Sequence, residues 1–210
     1  MDNNPIVPPE EQEVPEEQEA AEVKEKRVSP PPRFLFDMIE TFVIAVCVVF
    51  LIFMSGVRFC RVDGDSMNNT LYHGENLIIS NWFYEPKAGD IVVFHQTSED
   101  FLWLNEPIVK RVIATEGQFV KIDTEAALVY VSEDDLFTED EALSEPYAYL
   151  MGGVMHDSAG ISGTVFEVPK GCVFVLGDNR NNSTDSRSAS IGFVDTRRIL
   201  GKVVLRLSPR

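Results

Sequence analysis

The stretch IVKRVIATEGQFVKID, residues 108–123, decides the fold class of this chain. Both of its halves are rich in β-branched and apolar residues, and the segment EGQ at 116–118 between them is typical of a tight turn. No apolar repeat of three to four residues indicates an amphipathic helix here. The stretch therefore predicts two neighbouring β-strands, Ile108–Thr115 and Gln118–Asp123.

Similar runs occur on both sides of this stretch, separated by turn segments such as HGE, KAGD and PKG. The other predicted strands are Asn76–Ser80, Asp90–Gln96, Ala127–Ser132, Thr164–Pro169, Gly171–Leu176 and Leu200–Leu207. Acidic residues, then methionine, glycine and serine, break this rhythm at about 133–163, which indicates a variable insertion or a mobile excursion from the sheet. We expect a mostly β fold, with a compact antiparallel β domain over residues 58–210.

A long apolar segment precedes the strands. FLFDMIETFVIAVCVVFLIFMSGV, residues 34–57, is about 24 residues long, enough for a helix to cross the roughly 30 Å hydrocarbon core of a bilayer. Asp37 and Glu40 lie in its first two turns, where the helix dipole favours carboxylates. A cleaved signal peptide is the alternative, but the segment is longer than a usual signal-peptide core and no clear small-x-small site follows it. The sequence predicts one N-terminal transmembrane helix that stays as an anchor.

Residues 1–33 are rich in glutamate and proline. Such a segment cannot bury enough apolar surface to offset the entropy of ordering, so we expect a disordered acidic tail. Because more basic residues precede the anchor than follow it, the tail is predicted in the cytoplasm and the domain outside, as a single-pass protein of the cell membrane. The flanking basic residues are Lys24, Lys26, Arg27 and Arg33 before the anchor, and Arg58 and Arg61 after it.

Charge and cysteine content exclude some functions. The net charge of -16 argues against nucleic acid as a partner, because its phosphates require a basic face. The three cysteines, Cys47, Cys60 and Cys172, form no CxxC motif or Cys/His cluster, so structural cysteines are favoured over a zinc site. We expect no metal and no cofactor.

A serine and a lysine are the first candidates for chemistry. Ser66 lies in GDSMNNTL, residues 64–71, roughly nine residues after the predicted anchor. A lysine on an apolar strand face either reaches water with its head group or is desolvated and has a lowered pKa. A hydroxyl and a neutral lysine are the minimum set of a Ser/Lys hydrolase, here placed to act on a substrate in or at the membrane. Strand alternation places Lys110 on one face with Ile108, Val112 and Ala114.

Two further segments combine glycine with polar side chains. GDIVVF, residues 89–94, is on its own a turn that leads into a strand. GDNRNNSTDSR, residues 177–187, follows the apolar run VFVL and is dense in hydrogen-bonding side chains. It is either an elaborate turn or a network that supports a site.

Taken in order, SM after the anchor, GDIVVF, KRVI, and GDNRNNSTDSR followed by GFV resemble the type I signal peptidases, the membrane-bound Ser/Lys endopeptidases of bacteria. The resemblance extends from the anchor to about Pro209, and a four-part match in order is more specific than any one segment. It implies that Ser66 is the nucleophile and that Lys110 is the general base.

The resemblance also implies roles for supporting residues. Ser183 would hydrogen-bond the lysine amine and orient it. Asp185 and Arg187 would form an ion pair that supports the site. Asp178 would pair with Arg111, which alternation places on the opposite face of the lysine strand.

The nucleophile loop both follows the family pattern and departs from it. Met67 would pack beside the nucleophile and form the floor of the cleft. Asn69 stands where the family often has proline, so this turn is expected to be less rigid. Gly64 stands where some members carry a serine or threonine that completes the oxyanion hole. Backbone donors, chiefly the N–H of Ser66, are therefore expected to stabilise the oxyanion.

The resemblance implies a membrane-bound serine endopeptidase that removes signal peptides from secreted preproteins after small residues, in a small-x-small pattern, through an acyl-enzyme. Its partners would be preprotein signal peptides and membrane lipid, and it would act downstream of a protein translocase. Three alternatives stay open. A self-cleaving repressor shares the Ser/Lys pair but would carry a DNA-binding part and no anchor. The others are a specialised Ser/Lys peptidase for few substrates and an inactive membrane-tethered module that binds signal peptides.

Overall fold

The computed structural model describes residues 33–54, 56–96, 106–157 and 159–207. The predicted disordered tail, apart from Arg33, lies outside these residues. Helix α1 spans Arg33–Met54, and the mean hydropathy of Arg33–Ile52 is 2.5. Its length and composition are those of a helix that can cross a membrane, which agrees with the predicted N-terminal apolar helix.

Helix α1 ends at Met54, earlier than the predicted end of the anchor at Val57. Gly56 has a φ of 74°, a left-handed conformation that commonly ends helices and that glycine adopts without steric cost. Val57 already belongs to the first strand and pairs with Ser80. The apolar run in the sequence therefore joins the end of a helix to the start of a strand, which hydropathy alone does not separate.

Ten strands follow in the described residues. They are β1 Val57–Arg61, β2 Asn76–Ser80, β3 Ile91–His95, β4 Pro107–Thr115, β5 Phe119–Asp123, β6 Leu128–Ser132, β7 Val165–Glu167, β8 Cys172–Leu176, β9 Val194–Asp195 and β10 Ile199–Arg206. They form one sheet in the order β1-β2-β10-β3-β4-β8-β9 and a second in the order β6-β5-β7. All of the strand pairs are antiparallel. The predicted mostly β, antiparallel fold is confirmed.

Every strand predicted from the sequence is present, with ends that differ by one or two residues at most. The prediction missed β1 and β9. The first continues the apolar run of α1, and the second is only two residues long, too short to show an alternating pattern.

A β-bulge changes the expected alternation along β4. The pairing of β4 with β8 shifts register between Val112 and Ala114. Val112 packs in one core cluster, whereas Ile113 and Ala114 both pack in another. The prediction that Ala114 shares a face with Val112 is therefore wrong, because an extra residue in a strand shifts the following side chains to the other face.

The segment 133–163 is packed against the smaller sheet and does not project from it. Met155 is 4% exposed within the core cluster to which β4, β5, β6 and β8 contribute, and Leu143, Leu150 and Ile161 pack against the same cluster. Apolar residues that are spread through an irregular segment give no periodic signal, although each one is buried by tertiary contacts. The sequence pattern therefore missed these core contacts, and the expected variability or mobility of the segment stays a prediction.

The sheet topology brings two loops to the strand β4. Strand β1 leads into the turn that carries Ser66, and β4 carries Lys110 and Arg111. Arg111 lies opposite Leu176, the last residue of β8. The loop 177–187 therefore begins beside the middle of β4.

Candidate active site

Ser66 lies in the turn between β1 and β2, and its neighbour Met67 fixes that turn to the core. Met67 is 1% exposed and packs with Val62, Leu71 and Leu77. Its carbonyl accepts a hydrogen bond from the N–H of Leu71 at 2.8 Å. As expected from the sequence, Met67 is a packing residue directly beside Ser66. It does not form the floor of the cleft, because it is not among the residues that line it.

Lys110 reaches Ser66 from β4. Its Nζ donates hydrogen bonds to Ser66 Oγ at 2.7 Å and to the carbonyl oxygen of Val109 at 3.0 Å. Lys110 is only 3% exposed, so its head group does not lie in water. The structure thus brings together the serine and the lysine that the sequence singled out.

The surroundings of Lys110 favour its neutral form. Burial lowers the pKa of its ammonium group to about 8, while the nearby charge of Asp185 acts in the opposite direction. Desolvation destabilises an ammonium more than an amine, because only the charged form loses strong hydration. A lysine of this kind can accept a proton close to neutral pH.

Arg111 and Asp178 form a buried ion pair beside the lysine. Arg111 Nε donates to Asp178 Oδ1 at 2.8 Å, and Arg111 Nη2 donates to Asp178 Oδ2 at 2.6 Å. Asp178 Oδ2 also accepts a hydrogen bond from the Thr70 hydroxyl. The expected pair is present, and Thr70, which the sequence did not single out, ties it to the nucleophile turn.

Asp185 and Arg187 form the second expected ion pair. Arg187 Nε donates to Asp185 Oδ1 and Arg187 Nη2 donates to Asp185 Oδ2, each at 2.8 Å. Burial alone would raise the pKa of Asp185, but the hydrogen bonds and charge of Arg187 outweigh it and hold that pKa below its usual value. The carboxylate therefore stays charged close to Lys110.

The predicted hydrogen bond from Ser183 to the lysine amine is wrong for this structure. Ser183 Oγ donates to Asp185 Oδ2 at 2.7 Å, and the hydrogen bonds of Lys110 go to Ser66 and Val109. A charged carboxylate is a stronger acceptor for the one hydroxyl proton than an amine is. Ser183 therefore contacts Asp185, and Asp185 connects it to the surroundings of Lys110.

Two positions that the sequence analysis did not single out contact the nucleophile directly. Asn179 donates from its backbone N–H to the carbonyl of Ser66 at 3.0 Å and from its side chain to the carbonyl of Asp65 at 3.1 Å. A Cβ on Gly177 would lie 2.2 Å from Ser183 Oγ and 2.6 Å from the Ser66 carbonyl oxygen. Both residues belong to the GDN run at 177–179. Its glycine and asparagine, directly after a buried strand, were the sequence feature that could have indicated these contacts.

A small cleft opens at the dyad. Its volume is about 170 Å³, and it lies between the end of β1 and the first half of β4. Its lining is mixed, with polar residues such as Arg61, Asp63 and Glu106 and apolar residues such as Val62 and Ile108. Among the described residues, no group of three or more histidine, cysteine or acidic side chains is arranged to hold a metal ion.

Comparisons with known proteins show the family to which this chain belongs. The family model described as "Signal peptidase, peptidase S26" matches residues 35–208. The protein "Probable signal peptidase I-1" of Synechocystis sp. is 32% identical over 190 residues, covering 87% of each chain. "Signal peptidase I" of Bacillus caldolyticus is 34% identical over 172 residues, covering 79% of this chain and 87% of that protein. A solved signal peptidase I from Enterococcus faecalis aligns with 27% identity and a TM-score of 0.40, over 58% of this chain and 98% of the other. The chain therefore belongs to the signal peptidase family, peptidase S26, and it is accordingly a serine endopeptidase that removes signal peptides.

Proposed function

We propose that this signal peptidase works by a Ser/Lys mechanism, with Ser66 as the nucleophile and Lys110 as the general base. The observation that carries the proposal is the 2.7 Å distance between Lys110 Nζ and Ser66 Oγ. That distance is within reach for direct proton transfer. With the pKa that burial lowers to about 8, about one Lys110 in ten is neutral at pH 7 and can act as the base.

The chemistry proceeds in two halves. Neutral Lys110 takes the Ser66 proton while Oγ attacks the scissile carbonyl carbon, and the resulting ammonium then protonates the leaving amine. The C–N bond breaks and an ester to Ser66 is left. Lys110 next takes a proton from water, whose oxygen attacks the ester, and Ser66 leaves with its proton restored.

The oxyanion is stabilised by backbone donors. Among the described residues, the N–H of Ser66 has no protein acceptor, so it is free to donate to the developing negative charge. Gly64, two residues earlier, supplies no hydroxyl. The stabilisation therefore depends on the conformation of the turn and not on a side chain.

We propose that the enzyme cuts after small residues. A cleft of about 170 Å³ lies directly at Ser66. An extended substrate presents alternate side chains to the same face. Small residues at the first and third positions before the cut fit such an arrangement.

We propose that the enzyme is a single-pass protein of the cell membrane, with residues 1–33 in the cytoplasm and residues 58–210 outside. The apolar helix α1 and the distribution of basic residues around it support this arrangement. Signal peptides reach such an enzyme within or beside membrane lipid, downstream of a protein translocase.

The test uses detergent-solubilised full-length protein and one preprotein. We expect a single cut after a small residue, and we expect it to be lost in Ser66→Ala, in Lys110→Ala and equally in the double variant, because the two side chains act as one unit. Ser144→Ala and Lys87→Ala change the same residue types at exposed positions and should cleave normally. Folded Ser66→Ala or Lys110→Ala protein with wild-type activity contradicts the dyad. Wild-type protein that binds the signal peptide without cutting it supports the inactive module instead.

A further inference from the structure

Residues 145–150, inside the segment predicted as an insertion, lie directly against the loop that follows β8. Tyr149 N–H donates to the Asp178 carbonyl at 2.7 Å, and Arg180 N–H donates to the Tyr149 carbonyl at 3.0 Å. These two bonds form a parallel bridge between Tyr149 and Asn179. The loop residue in that bridge is the one whose N–H also binds the carbonyl of Ser66.

Glu145 forms a buried ion pair with this loop. Arg180 Nη1 donates to Glu145 Oε2 at 2.8 Å and Arg180 Nη2 donates to Glu145 Oε1 at 2.5 Å. The Arg180 side chain is 1% exposed and the Glu145 side chain is 8% exposed. The same guanidinium donates through Nε to the carbonyl of Gly177 at 3.2 Å. Glu145 therefore orients the arginine that holds the backbone of Gly177.

Gly177 connects the ion pair of Glu145 and Arg180 to Ser66. It is packed so closely between Ser183 Oγ and the Ser66 carbonyl that a Cβ at this position would overlap with both. Its N–H donates to Asp185 Oδ2 at 3.0 Å. A displacement of Gly177 would therefore move Ser66 or the carboxylate near Lys110.

The carboxylate of Glu145 has a second connection, which leads to the lysine strand. Tyr147 O–H donates to Glu145 Oε1 at 2.9 Å. The ring of Tyr147 lies against the guanidinium of Arg111, with 3.8 Å between its centroid and Cζ, a favourable cation–π contact. Arg111 directly follows Lys110 on β4.

We propose that Glu145 is a positioning residue that fixes the relative placement of Ser66 and Lys110. One carboxylate acts through Arg180 on the loop beside Ser66 and through Tyr147 on the strand that carries Lys110. Misplacement of reacting groups by about 1 Å can lower a rate about a hundredfold. The inference rests on the proposed function, because it takes Ser66 and Lys110 to be the reacting pair.

The test compares Glu145→Gln with Glu139→Gln in full-length, detergent-solubilised protein. Glu139 is exposed in the same segment, so the control removes the same charge by the same chemical change. We expect kcat of Glu145→Gln to fall at least about tenfold with KM within about twofold, since the loss concerns alignment and not substrate binding. Glu139→Gln should match the wild type.

Two further variants separate positioning from general loss of structure. Glu145→Asp keeps the charge and should recover part of the lost kcat, and Tyr147→Phe keeps the ring but loses the O–H, so kcat should fall only about two- to fivefold. If the circular dichroism of Glu145→Gln differs from that of the wild type, Glu145→Asp tests the positioning role in its place. We then expect a reduced kcat and an unchanged KM for Glu145→Asp. Wild-type kcat in the folded Glu145 variants, a change in KM alone, or an equal effect in Glu139→Gln overturns the proposal.

Ser66→Ala and Lys110→Ala, assayed alongside, distinguish the two hypotheses. If both are inactive while the Glu145 variants are normal, only the positioning role fails. If either one is active, the dyad itself fails, whatever Glu145 does.

Discussion

Lys110 shows how one residue acquires a new chemical property from its surroundings. With a pKa of 10.5, about one lysine in three thousand is neutral at pH 7, whereas with a pKa of about 8 the fraction is about one in ten. Burial on β4 therefore raises the neutral fraction of Lys110 at pH 7 roughly three-hundredfold. In the proposed mechanism Ser66 needs no unusual property of its own, because the Lys110 amine lies 2.7 Å from its hydroxyl.

Gly64 gives a prediction at the same scale. Its φ of 87° favours glycine, but a Cβ at this position would meet nothing within 4 Å, so a substitution strains the backbone without causing a clash. That strain costs on the order of 1–3 kcal/mol. An added hydroxyl in Gly64→Ser can offset part of it by donating to the oxyanion.

We therefore expect kcat/KM of Gly64→Ser to stay within about tenfold of wild type. Gly64→Val should be much less active, because β-branched residues tolerate positive φ poorly. Both values are measured with one preprotein peptide. A valine variant as active as the wild type would show that the conformation of this position does not matter for the oxyanion.

At the scale of elements, local sequence patterns predicted the strands well but not the contacts between distant segments. Alternation and turn residues located the strands, and four short segments identified Ser66 and Lys110. The bulge in β4 was not predictable, because it depends on pairing with β8, about sixty residues later in the chain. The partner of Ser183 and the packing of residues 145–150 were missed for the same reason, since both are decided by tertiary contacts.

Gly177 tests the arrangement of the loop after β8. Gly177→Ala would place a methyl group 2.6 Å from the carbonyl oxygen of Ser66 and 2.2 Å from Ser183 Oγ. Because the first of these is a backbone atom, the loop or the nucleophile turn must shift. We expect kcat/KM to fall at least about a hundredfold.

The control for this variant is Gly163→Ala, where φ is 75° but a Cβ meets nothing within 4 Å. It strains the backbone far from Ser66 in the sequence and should lower stability more than activity. Thermal unfolding and kcat/KM are measured for both variants. Normal activity in Gly177→Ala would mean that close packing against Ser66 is not required for catalysis.

For the molecule as a whole, the buried lysine has a cost in stability. Its pKa is about 8 in the folded state against 10.5 for an ordinary lysine, so between these pH values the unfolded chain binds more protons than the folded one. Stability therefore rises with pH across this window, and the full penalty, about 3 kcal/mol, applies below pH 8.

Lys110→Met, which replaces the charge with an apolar chain of similar size, should be more stable than the wild type at pH 7. The difference in the free energy of unfolding should shrink as the pH rises from about 8 to about 10.5. This difference is measured by denaturant unfolding of both full-length proteins in detergent, followed by circular dichroism at several pH values. A difference that does not change with pH would contradict the desolvation of Lys110.

The central claim is that neutral Lys110 is the base, and the pH dependence of kcat/KM tests it most directly, because this quantity reports the essential groups of the free enzyme. Full-length enzyme is assayed with one preprotein peptide between pH 5 and pH 11. We predict that kcat/KM rises along a single acid limb with a pKa of about 8, the value that burial gives Lys110. A limb near 6.5, as for a histidine, or near 10.5, as for an ordinary solvated lysine, would contradict the account.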